Sequence, residues 1–228
     1  MGTQGRVATA FYALRPGGWR DYVTVLHLPY TAWNLSNVAV GAALAPHFHL
    51  DRLLWGLGAF ALALGVAAHT LDELNGRPLK TQIPSWVLVA LTVVSLAGAV
   101  AIGIAAAAWW GWGLLVFVAV GAVLVPAYNL EWFGGAIHNT VGLAVAWGAF
   151  PVLTGFWVEA QAIRVEAVLA AAYAALLVSA QRTLSTPARE ARRQRGDEGA
   201  AAPYERALKL LAAGAVAIAV AMVAARLR

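Results

Sequence analysis

The residues able to do chemistry are densest in one stretch, His69-Thr70-Leu71-Asp72-Glu73-Leu74-Asn75-Gly76-Arg77-Pro78-Leu79-Lys80. An imidazole, two carboxyl groups, a guanidinium and an ammonium follow one another there, with long apolar runs on both sides. Such groups are expensive in hydrocarbon and are tolerated where they line a protein cavity or its mouth. Two other polar groupings could join them. His27 and Asn34 are seven residues apart, close to two helical turns, and can share a face. Asn129, Glu131 and His138 bracket a tight Trp132-Phe133-Gly134-Gly135 turn, in which an unpaired carboxylate would be costly.

Two chemistries suit this set. In the first, His69, Asp72, Glu131 and His138 hold one divalent metal ion, and mixed nitrogen and oxygen ligands do not separate Mg, Fe, Mn and Zn. Glu73 is then a spare ligand or base, so Asp72, Glu73 and Glu131 are the candidate catalytic carboxylates. In the second, those three carboxylates hold a hard cation against a phosphorylated ligand whose charge Arg77 and Lys80 neutralise. His27, Asn34 and Asn129 would face the substrate in either case. The plainer alternative is a hydrogen-bonded network tying helices together, with Arg77 and Lys80 as topology charges. There is no His-Glu-x-x-His helix, paired Glu-x-x-His motif, Gly-rich phosphate loop, Gly-x-Ser-x-Gly elbow or haem-binding Cys motif.

The elements that must position these groups are membrane helices. Hydrophobic residues make up 61% of the 228 residues and charged ones 12%, about half the share in soluble proteins. Mean hydropathy is +0.69. Apolar runs at about 22–45, 53–71, 85–107, 114–128, 134–157, 167–179 and 207–223 predict an all-α bundle of about seven transmembrane helices in a single domain. Residues 1–20 read as a cytoplasmic arm, and the arginine-rich 181–203 stretch as a flexible cytoplasmic connector. Seven passes put twelve of the 16 Lys and Arg residues on one face and four on the other. The chain is therefore expected in the cytoplasmic membrane, with its N-terminus in the cytoplasm and its C-terminus outside. The absence of cysteine excludes disulfides and thiolate metal sites. The net charge of +5 follows from this loop bias and does not call for nucleic acid. Membrane lipids and a hydrophobic or lipid-phosphate small molecule are the expected partners, and the pattern is silent on oligomerisation.

The run from His69 to Pro84 resembles the first signature of the UbiA-like membrane prenyltransferases, an aspartate-bearing helix end followed by Arg-Pro-Leu and the next span. Asp72 matches the last aspartate of that signature and Arg77-Pro78-Leu79 the basic turn after it. Where the family has earlier aspartates, four and eight residues before, this chain has Ala68 and Leu64. Asn129, Glu131 and His138 stand near the place of its second motif, and its usual count is nine spans. The resemblance implies a helical bundle with a cytoplasm-facing cavity for a lipid-like ligand. The expected function is an integral membrane enzyme acting on a hydrophobic, isoprenoid or lipid-linked substrate at a metal-assisted site. The alternative is a transporter or a structural subunit of a membrane complex.

Overall fold

A long apolar segment can satisfy its own backbone only as a helix, and the described residues follow that pattern almost throughout. The computed structural model describes residues 9–228, which form helices and no strand. In chain order these are α1 (Trp19–Val25), α2 (Leu28–Leu44), α3 (Leu50–Leu74), α4 (Ser85–Trp110), α5 (Leu114–Asn129), α6 (Thr140–Ala160), α7 (Val165–Arg195) and α8 (Glu198–Arg226). A π-helical stretch interrupts α3 at Ala61–Ala68 and α6 at Ala144–Ala149, and another ends α7 at Ala191–Arg195.

Among the described residues five helices, α3, α4, α6, α7 and α8, are long and apolar enough to cross a membrane, two fewer than the sequence suggests. The difference lies in α2 and α5, which have 17 and 16 residues. At 1.5 Å per residue these reach about 24–26 Å, against a hydrocarbon core of about 30 Å. Pro46 and the helix-breaking His27 bound the first, while Gly113 and the turn after Asn129 bound the second.

The 181–203 segment also departs from expectation. It is no flexible connector: α7 continues through it to Arg195, and α8 starts at Glu198 with the Asp197 side chain accepting from Ala200 N–H at 2.9 Å. Ser185, Ala188 and Ala191 are buried there, and Arg192 pairs with both Glu198 and Glu205. Arg182, Arg189, Arg192 and Arg193 have protein partners, so high polarity here does not mean a solvated chain.

α2 lies at the centre, packed chiefly against α6 and α8. Its crossing with α6 depends on two glycines. A Cβ on Gly41 would stand 2.0 Å from the Val152 carbonyl oxygen, and one on Gly155 2.2 Å from that of Val38. Only glycine lets the two backbones come this close.

The helix ends gather in two groups. At one, the Ala45 and Pro46 carbonyls accept from Arg226, and His49 bonds to Glu159 through both its N–H and its Nδ1. At the other, His27 stacks on His69, and the Asn75 side chain donates to the Asn129 carbonyl. Residues 9–18 lie across this second end, with Thr9 Oγ1 donating to the Leu79 carbonyl and Leu14 N–H to Thr24 Oγ1. It holds the candidate site.

Candidate functional site

Three elements bring the histidines to the mouth of the bundle. The π stretch of α3 ends at Ala68, directly before His69, and such stretches are frequent at functional sites because they re-aim the side chains beside them. His27 separates α1 from α2 in a left-handed conformation with φ 46°, an arrangement a non-glycine residue adopts only where its surroundings impose it. The break lays its ring over that of His69, with centroids 4.2 Å apart and planes 20° from parallel. His138, ahead of α6, stacks on Tyr128 at 4.5 Å, and its Nδ1 lies 3.0 Å from the Tyr128 carbonyl oxygen.

Residues 9–18 contribute Tyr12, whose hydroxyl is 3.3 Å from His27 Nδ1. Burial, reinforced by the nearby Tyr30, raises the Tyr12 phenol above its ordinary pKa. The phenol therefore keeps its proton and can donate it in that bond. His27 Nε2 and the indole N–H of Trp33 have no hydrogen-bond partner among the described residues.

These groups line a cavity of about 310 Å³. Of the candidates named from sequence, His27, Asn34, His69, Asp72, Asn129 and His138 all border it. The opposite wall belongs to the 181–193 part of α7, through Arg182, Arg189 and Arg193. Their spacings of seven and four keep them on one helical face. Arg182 donates to the Tyr128 hydroxyl, Arg189 to Ser185 and Thr186 hydroxyls, and Arg193 to the Thr9 carbonyl. Asp72 makes no hydrogen bond or ion pair among the described residues. Sequence reasoning missed Tyr12, Tyr30 and the arginines. The helical spacing of Arg182, Arg189 and Arg193 was the available signal, and it was masked by reading the segment as solvated.

Four candidates lie elsewhere. Glu131 is exposed and takes φ 53° in the turn after α5, and it does not border the cavity. Glu73, one residue from Asp72 and so pointing about 100° away on the helix, is fully buried beneath the loop that follows. Its Oε2 accepts from Leu79 N–H, and its Oε1 from the N–H and the hydroxyl of Thr81, at 2.8–2.9 Å. Arg77 braces the same loop, donating to the Thr81 and Ile83 carbonyls and the Ser85 hydroxyl. Lys80 is exposed. Arg77 and Lys80 therefore do not face the cavity, and Glu73 serves the loop.

The four-residue metal set is not assembled. Among the described residues no three His, Cys, Asp or Glu side chains converge as metal ligands. Glu131 points away, and the facing His27 and His69 rings are stacked, an arrangement that does not direct two ring nitrogens at one ion. His69, Asp72, Glu131 and His138 thus do not form a closed metal centre among the described residues.

Beyond the cavity, deeper in the bundle, lies an apolar pocket of about 80 Å³ bordered by α3, α4, α5 and α6. Trp147, in the π stretch of α6, borders both spaces. No family model, curated protein or solved structure matches the chain.

Proposed function

We propose that this is an integral membrane enzyme whose cytoplasm-facing cavity receives the polar head of a hydrophobic, isoprenoid or lipid-linked substrate. One observation carries the reading: a polar cavity and an apolar pocket share the Trp147 wall inside a bundle of membrane-length helices. An amphiphile has the same division, and binding sites of this kind combine apolar walls with a few placed polar groups. Asp72, His27, His69 and His138 are the proton-handling groups within reach of such a head. The resemblance around Asp72 supports the same substrate class.

The test is what the protein carries. Purified in mild detergent without added lipid, it should retain a hydrophobic molecule in near-stoichiometric amount, identified by mass spectrometry of the intact complex. Ala63→Phe, which fills the apolar pocket, should reduce that retention several-fold. Wild-type protein that carries nothing beyond bulk membrane lipid would refute the proposal.

The orientation is part of the same reading. α2 and α5, though short, run between the same two groups of helix ends as their neighbours, which supports seven passes with the cavity end in the cytoplasm. The arginine-rich segment lies at that end, as the positive-inside rule requires. The chain has no cysteine, so single cysteines report cleanly. In intact cells an impermeant thiol reagent should label His47→Cys and spare Gln194→Cys, both at exposed positions. The opposite pattern would invert the topology.

A further inference from the structure

The cavity's arginines point to the charge of what it binds. We infer that Arg182, Arg189 and Arg193 form a site for a phosphate-class dianion, which they hold directly without a bridging divalent cation. This deepens the function proposed above and rests on it only for the hydrophobic part of the ligand.

All three guanidiniums border the cavity, and none of them is paired with a carboxylate among the described residues. Their present partners are neutral: a phenol, two hydroxyls and a backbone carbonyl. The neighbouring Arg192 shows the contrast, since its fork is taken up by Glu205 and Glu198 outside the cavity. A guanidinium prefers a carboxylate or a phosphate, to which it can donate two parallel bonds. Three cations face one anion in the cavity, Asp72, which leaves a formal excess of two positive charges. A phosphate monoester carries about −1.5 to −2 at pH 7, whereas a carboxylate supplies only one negative charge. The charge balance therefore selects phosphate. Two unpartnered ring nitrogens of cavity-lining residues, His27 Nε2 and Trp33 Nε1, leave further donor capacity on the facing wall. Arg193 already donates Nε to the Thr9 carbonyl at 3.2 Å and keeps its two terminal nitrogens for the ligand.

The experiment measures thermal stabilisation of the detergent-purified full-length protein, in EDTA, by three probes: inorganic phosphate, dodecyl phosphate and laurate. Dodecyl phosphate should stabilise at the lowest concentration and laurate more weakly. Inorganic phosphate reports whether the head alone suffices. Arg189→Gln and Arg193→Gln should each weaken dodecyl phosphate binding by about tenfold, the size expected for one charge-assisted contact. Arg195→Gln, on the same helix but exposed and outside the cavity lining, should leave it unchanged. Arg189 is exposed along part of its length, so its variant should fold and keep the test readable. Stabilisation that needs Mg²⁺, equal response to laurate, or equal weakening by Arg195→Gln would each overturn the inference. Inorganic phosphate binding with no retained hydrophobic molecule would uphold the anion site while refuting the amphiphile reading. A retained neutral lipid with no phosphate response would do the reverse.

Discussion

Replacing Glu73 with alanine should destabilise the protein by about 3 kcal/mol, because it strands buried donors that nothing else can reach. Glu73 has no exposed surface, and both its oxygens accept, from Leu79 N–H, Thr81 N–H and the Thr81 hydroxyl. These bonds close the chain between the end of α3 and the start of α4, where Arg77 and Lys80 take left-handed conformations at φ 52° and 57°. Glu73→Gln keeps the shape but sets an amide N–H₂ against a backbone N–H, so roughly half the loss should remain. Unfolding of both variants in denaturing detergent, followed by circular dichroism, gives the two values. The glutamine variant should still bind whatever the wild type retains. Abolished binding in a folded Glu73→Gln protein would return Glu73 to the substrate site.

Alanine at Gly41 or Gly155 should also cost about 1–3 kcal/mol or more, the range found when a packed interior is overfilled. The added methyl would overlap a carbonyl oxygen of the facing backbone, and neither backbone can turn aside as a side chain would. Helices α2 and α6 must then separate, which also disturbs Trp33, Asn34 and Trp147 along the cavity wall. Because both glycines serve one crossing, the double variant should lose less than the sum of the single losses. Gly58→Ala is the control. Its Cβ would meet nothing, so it should stabilise the helix by about 0.5–1 kcal/mol. Thermal unfolding of the four variants beside the wild type in one detergent decides the matter, and a neutral Gly155→Ala would show that the crossing is looser than described.

Hydropathy located every long helix, because a long apolar run can satisfy its own backbone within one segment only as a helix. It also drew His27, Asn34, His69, Asp72, Asn129 and His138 to one end of the bundle, where they do share a cavity. What hydropathy does not carry is direction around the helix axis. Asp72 and Glu73 are neighbours in sequence, yet one faces the cavity and the other a loop. Glu131 was placed by its neighbours Gly134 and Gly135, but its own left-handed backbone turns it outward. Arg77 resembled a phosphate ligand and is instead tied to carbonyls six residues away or closer. The 181–193 segment failed for the opposite reason. Its composition is that of a solvated chain, and only tertiary packing against Tyr128, Thr9 and Glu205 makes it a wall.

The cavity mouth joins the first described residues to some of the last. Thr9 is bonded to Arg193, Phe11 lies under the ammonium of Lys209, and α2 packs chiefly against α6 and α8. During synthesis from the N-terminus, α2 emerges before any of these partners exists. Its polar face, with Asn34, Ser36 and Asn37, must wait through most of translation for the helices that cover it. Such long-range closure is slow and leaves early segments exposed to wrong partners. A chain halted before α8 would already carry every residue that borders the cavity, yet α2 would lack one of its two main packing partners. The arrival of α8 supplies that partner and sets Lys209 over Phe11 beside the mouth, so the support for the site is assembled after the site's own residues.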